Sequence, residues 1–185
     1  MNKNNLAIFD LDGTLFDTDE VNYVAYKQAL EEYNVTFEKD YYFSKCCGNS
    51  YRQFLPPLVG DTEKVEKVHD KKVALYPSLL DKAKVNVHLF NMIRLLGKFY
   101  HTAVVTTASK KNTFDILKYY KVEDLFELVL TKEDVLNIKP SSDGFLKAME
   151  FFKVSPQQTV IFEDSETGIK AAEKTGATVL IVNNF

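Results

Sequence analysis

The chain has 185 residues, 45% hydrophobic and 26% charged, which suits one buried core or a core carrying a modest insert. A net charge of −3 and a pI near 5.7 give no basic face, so nucleic acid and membrane surfaces are excluded as expected partners. No apolar run is long enough to span a bilayer, and Met1 to Asn5 leads into only the short run Leu6 to Phe9; no signal peptide is expected, and the expected compartment is the cytoplasm.

Taken in chain order, Leu6–Phe9 reads as a short buried strand. The acidic run Asp10-Leu11-Asp12-Gly13-Thr14 follows it directly. The next strand pattern, Thr102–Val105, begins about ninety residues later, far more than one crossover helix needs. Between them, Val21, Val24, Tyr26, Leu30 and Tyr33 form an imperfect amphipathic stripe. Glu63 to Tyr76 is charged, with apolar Val65, Val68, Val73 and Leu75. An α-helical insert of roughly 65 residues, spanning 17–84, is therefore expected. Val87–Leu96 reads as the crossover helix that returns to the sheet.

Within the insert, the neighbours Cys46 and Cys47 are poorly placed to bridge each other. No further Cys or His stands at zinc-ligand spacing. Both are expected as free thiols, and packing is the expected role. Beyond the crossover helix, strand patterns at Thr102–Val105, Leu128–Leu130, Val160–Phe162 and Val179–Val182 alternate with helical ones. Phe114, Leu117 and Tyr120 share one helical face, and Phe145, Met149 and Phe152 another. Ile169, Ala172 and Glu173 lie on a third helix, ended near Gly176. Alternation of this kind predicts an α/β fold class, with a parallel sheet, helices on both faces and right-handed crossovers.

In an open parallel sheet, ligands bind beyond the carboxyl ends of the strands. Asp10 and Asp12 fall there, and two carboxylates so close repel unless a cation intervenes; an oxygen-rich site suits magnesium. Gly13 lets backbone amides turn toward an anion. Thr106 and Thr107 follow the second strand pattern and can serve either as phosphoryl donors or as a helix cap. Lys139-Pro140 follows the third, and Glu163-Asp164-Ser165 the fourth. The acidic pair reads either as a helix start favoured by the dipole or as metal ligands. A nucleophile, a cation and fixed donors for equatorial oxygens are the parts phosphoryl transfer needs.

With these four motifs in order, the chain resembles the haloacid dehalogenase-like hydrolase superfamily, in its phosphatase branch, over nearly its whole length. The resemblance implies a Rossmann-like core from 1–16 and 85–185 and a small α-helical cap from 17–84. It implies that Asp10 is the nucleophile, that Asp12 is the general acid and base, and that Lys139 steadies Asp10 and the phosphate. Thr106, with Thr107 as the alternative, and the amides around Gly13 would hold the phosphoryl group. Magnesium would take Asp10, Asp12, Asp164 and Glu163, the last directly or through water.

Phe162-Glu163-Asp164-Ser165 resembles the subgroup of sugar-phosphate phosphatases and β-phosphoglucomutases, so a small phosphate ester is the expected substrate and a monomer the expected state. The mutases carry a histidine where this chain has Asn22, and an arginine where it has Tyr51, with Arg52 one later. Both departures count against a mutase. In the stretch Cys47-Gly48-Asn49-Ser50-Tyr51-Arg52, Arg52 is either a partner for a second anionic group of the substrate or a solvated turn residue. Three readings stand: a phosphatase first, then a phosphomutase, then a non-catalytic module that binds a phosphorylated ligand.

Overall fold

Strand β1, Asn5–Phe9, has no exposed side chain from Leu6 to Phe9, as a strand covered on both faces requires. The computed structural model describes residues 3–183 and 185. After β1 the chain makes the two-residue strand β2, Phe16–Asp17. Then come α1, Asp19–Glu31, α2, Lys39–Tyr41, and a π-helical turn at Tyr42–Cys46. Helices α3, Tyr51–Phe54, α4, Pro56–Val59, and α5, Thr62–Leu75, lead into a 3-10 segment at Tyr76–Lys82. Strand β3, Lys84–Val85, pairs antiparallel with β2. The rest alternates: α6, Val87–Leu96, β4, Tyr100–Val105, α7, Lys110–Tyr119, β5, Leu128–Leu130, α8, Asp143–Phe152, β6, Thr159–Glu163, α9, Glu166–Glu173, and β7, Thr178–Ile181.

The five long strands form one sheet in the order β5-β4-β1-β6-β7, every pair parallel. This is the α/β parallel-sheet architecture expected from the sequence. β1 is central. The chain first moves outward through β4 and β5, then returns to β6 on the other side of β1. The ends of β1, β4 and β6 therefore meet at a topological switch point, where open sheets bind ligands.

Side chains alternate across β1. Leu6 and Ile8 enter a cluster with Ala103, Val105, Leu130, Phe145, Ala148, Met149, Ile161, Ala171 and Ala172, which joins the sheet to α8 and α9. Phe9 stacks on its register partner Phe162 at 4.7 Å and meets Phe126 edge-on at 6.1 Å. The β2–β3 pair has no counterpart in the sequence reading, because two residues per strand are too few for any periodicity. It places Phe16 in contact with Phe90 and Tyr120.

The chain divides into two compact units, Met1–Asp17 with Lys84–Phe185, and Thr18–Ala83. The second has its own core of Tyr23, Tyr26, Ala29, Leu30, Phe37, Tyr42, Cys46, Phe54, Leu55, Val65 and Val68. Of the expected stripe, Val24 and Tyr33 sit at its margin, while Tyr23, Ala25 and Ala29 are more deeply buried. Both cysteines are free and Cys46 is buried; the Cys47 thiol donates to Asp19 Oδ1 at 3.1 Å. Among the described residues no helix is long and apolar enough to cross a membrane.

Candidate active site

Asp10 is the first residue beyond β1. Its amide donates to the Phe162 carbonyl at 3.0 Å, so the ladder to β6 continues one step and fixes the carboxylate at the strand end. The loop then turns sharply: the Leu15 and Phe16 amides return to the Leu11 carbonyl at 2.9 and 3.0 Å, and the Gly13 amide to Phe16 at 2.7 Å. Gly13 has φ +89°, and a Cβ there would lie 2.1 Å from Asp164 Oδ2. Both the backbone conformation and the neighbouring carboxylate therefore demand glycine. Thr14 is fully buried; its hydroxyl donates to Asp164 Oδ1 at 2.7 Å, and its carbonyl accepts from Asn86 Nδ2 at 3.1 Å. Asn86 also caps α6 by accepting from the Leu89 amide at 3.0 Å, so one side chain ties the acidic loop to a helix start.

Lys139 reaches in from the segment before α8. Its ammonium donates to Asp10 Oδ1 and to Glu163 Oε1, the latter at 2.7 Å, and lies 5.1 Å from the centre of the Phe145 ring. Glu163, the last residue of β6, is fully buried. Its other oxygen accepts from the Asp164 amide at 2.9 Å, the Ser165 amide at 3.0 Å and the Ser165 hydroxyl at 3.1 Å. Ser165 caps α9 by accepting from the Gly168 amide at 3.0 Å.

This group carries more negative charge than Lys139 neutralises. Burial holds the Asp10 carboxyl well above its usual range; Lys139 opposes this, while Glu163 and Asp12 reinforce it. Burial acts to lower the Lys139 ammonium, but Asp10 and Glu163 outweigh it and hold the group above its usual value. The Asp164 carboxyl is pushed up to about 6 by burial, against the Thr14 hydroxyl and with Glu163 adding to the rise. Asp10, Glu163 and Asp164 each offer a carboxylate oxygen within 4.8 Å of the others. An excess of buried negative charge on clustered hard oxygens fits a divalent cation.

The structure thus brings together Asp10, Gly13, Lys139, Glu163 and Asp164 at one sheet edge, with half-buried Asp12 in the same turn. Thr106 is buried at the end of β4; its amide donates to Leu130 O at 3.0 Å and its hydroxyl accepts from the Ala108 amide at 3.0 Å. Thr107 is exposed. Arg52 belongs to the helical unit, where it donates to Glu66 at 3.0 and 3.4 Å and lies over the Tyr51 ring. Sequence reasoning gave no role to Asn86 and none to the Thr14 hydroxyl. The signal for Asn86 was present, an Asn immediately before a helical pattern; for Thr14 only the fold supplies it.

Over residues 7–182 the chain matches the family described as haloacid dehalogenase-like hydrolase. It is 27% identical over 177 residues to a phosphorylated carbohydrates phosphatase of Thermotoga maritima, covering 92% of this chain and 81% of that protein. It is 29% identical over 181 residues to the beta-phosphoglucomutase of Bacillus subtilis, covering 92% and 79%. A crystal structure from Haemophilus somnus, described as a predicted phosphoglycolate phosphatase, superimposes with a TM-score of 0.86 at 22% identity, covering 97% of this chain and 85% of that one. With its motifs in order beyond the ends of the parallel strands β1, β4, β5 and β6 and a family match across nearly all of its length, the chain belongs to the haloacid dehalogenase-like hydrolases.

Proposed function

We propose that the protein is a magnesium-dependent phosphatase acting on a small phosphorylated metabolite of the sugar-phosphate kind, through a phosphoaspartate at Asp10. The observation that carries this reading is the buried Asp10 carboxylate, held at a strand end by Lys139, which is itself held by Glu163. Asp10 attacks phosphorus while Asp12 gives its proton to the departing alkoxide oxygen. Asp12, now a carboxylate, takes a proton from water as that water attacks the phosphoaspartate, which frees phosphate and restores Asp10. The Thr106 hydroxyl, with Thr107 as the alternative donor, and the amides around Gly13 hold the phosphoryl oxygens. Magnesium, held by Asp10, Asp164 and the Asp12 carbonyl, would neutralise charge on the phosphoryl group. The donors already on both oxygens of Glu163 favour its acting through water and through Lys139. Arg52 is the proposed contact for a second anionic group, in exchange for Glu66.

Purified protein is expected to hydrolyse p-nitrophenyl phosphate with magnesium, and Asp10→Asn to abolish turnover; activity that survives the substitution would sink the mechanism. A panel of phosphate esters then names the substrate. The 29% identity to a beta-phosphoglucomutase supports a second reading, in which a hexose 1-phosphate is isomerised after priming by a bisphosphate, with slow release of phosphate. Asn22 and Tyr51 weigh against it.

A further inference from the structure

Lys139 is placed by a segment that has little else to hold it. Residues 135–142 form no ladder with the sheet and no regular helix. Their apolar side chains anchor them weakly: Leu136 is 97% exposed and Ile138 52%, and only Val135 is half-buried, beside Gly144 of α8. Asn137 and Pro140 also face solvent, while the Lys139 side chain is 7% exposed. An inward lysine on a loop so weakly anchored by apolar packing needs polar ties to keep its ammonium between two carboxylates.

Asp143, the first residue of α8, supplies them. Its Oδ2 accepts from the Asn137 amide at 3.2 Å and from Asn137 Nδ2 at 2.9 Å. Its Oδ1 accepts from the Ser141 hydroxyl, and the Asp143 amide returns to that hydroxyl at 3.4 Å. One carboxylate thus grips the loop two residues before Lys139 and two residues after it. The Ser141 amide closes a turn onto Ile138 at 2.9 Å, and Lys174 donates to the Pro140 carbonyl at 2.7 Å. The bonds from Ser141 and Asn137 hold the Asp143 carboxyl below its usual value, so it serves as an anionic acceptor.

We infer that Asp143 is a positioning residue for the reaction, a clamp that acts through Lys139 and touches no substrate. The inference rests on the proposed phosphatase reading. Displacing a reacting group by about 1 Å costs up to about a hundredfold in rate, so Asp143→Ala should lower kcat for p-nitrophenyl phosphate by about ten- to a hundredfold and change KM by less than about threefold. Ser141→Ala should give a smaller loss in the same sense, and Ser141→Thr, which keeps the hydroxyl, should restore it. In a Lys139→Ala background, Asp143→Ala should cost nothing further in kcat, because the group it positions is gone. Equal losses in both backgrounds, or a rise in KM that accounts for the defect, would overturn the clamp.

A second readout does not need turnover. A buried, hydrogen-bonded ammonium exchanges its protons slowly, so nitrogen-15 NMR should show a protected lysine signal that Lys139→Ala removes, distinct from any given by the buried Lys72, which that substitution leaves in place. Asp143→Ala should abolish that protection, and an unchanged signal would refute the inference even if the enzyme reading holds. If the wild-type protein turns over no phosphate ester, the phosphatase reading fails, and the protected signal still decides whether Asp143 places Lys139.

Discussion

Replacing Gly168 by alanine should reverse an ordinary expectation. Inside a helix such as α9 the change normally stabilises by about 1 kcal/mol. Here the added Cβ would lie 1.7 Å from Glu163 Oε1 and 2.0 Å from Cδ. The carboxylate has nowhere to swing, since Lys139 holds one oxygen while the Asp164 amide, the Ser165 amide and the Ser165 hydroxyl hold the other. Breaking one side of a buried ion pair costs about 3–5 kcal/mol, which leaves a net loss of about 2–4 kcal/mol after the helix gain. At about 2–4 °C per kcal/mol for a chain of this size, Tm should fall by about 5–15 °C. Thermal unfolding of the metal-free protein by circular dichroism measures this directly. Gly60→Ala is the control: Gly60 has φ +74° and an added methyl would meet nothing within 4 Å, so only the left-handed backbone penalty of about 1–2 kcal/mol applies. A Gly168→Ala protein as stable as wild type would show that Glu163 is not gripped as described.

The charge excess predicts a pH-dependent gain. The Asp164 carboxyl sits at about 6 against an ordinary 3.8, so its ionisation costs the folded protein nothing below the lower value and the full amount above the higher one. That gap is worth about 3 kcal/mol at most, and screening of a partly exposed group reduces it to about 1 kcal/mol. Asp164→Asn should therefore stabilise metal-free protein near pH 8 by about 1 kcal/mol and near pH 3 not at all, and should lack the rise in Tm expected of wild type with magnesium; an equal effect of the substitution at both pH values would contradict the cause assigned. Gly13→Ala should abolish turnover, because a methyl 2.1 Å from Asp164 Oδ2 forces that carboxylate away; wild-type kcat would refute this. Phe145→Ala removes a fully buried ring shared by the core cluster and the Lys139 ammonium and should cost about 3–5 kcal/mol, read from a denaturant melt.

The inner strands β1, β4 and β6 were legible because parallel strands buried on both faces read as continuous apolar runs; edge strand β7 reads the same way although Leu180 and Ile181 are exposed. Leu128–Leu130 matches β5 as read, and the other four differ from the observed strands by no more than two residues at either end. Val87–Leu96 matches α6. The β2–β3 pair and the π-helical turn at Tyr42–Cys46 carry no pattern of their own, and only tertiary contacts define them. At the candidate site, the acids and the lysine were legible as residue types at strand ends. Their wiring was not. The bond from Lys139 to Glu163 and that from Thr14 to Asp164 link residues far apart in the chain, and no spacing rule reports them. Asp143 lay in plain view as an acid at a helix start, a position so common that its grip on Asn137 and Ser141 shows only in three dimensions.

The central place of β1 also sets the order in which this molecule comes into being. The strand is made well before one of its two neighbours, β6, Thr159–Glu163. Until β6 has been made, β1 presents an open edge of unpaired amides and carbonyls with apolar side chains on both faces. Non-local pairing of this kind is slow to form and prone to aggregate meanwhile. The partner that completes the pairing of β1 is thus supplied only after most of the chain has been made. Pairing β1 with β6 is also what sets Glu163 and Asp10 on the same lysine, while Asp12 stays half-buried.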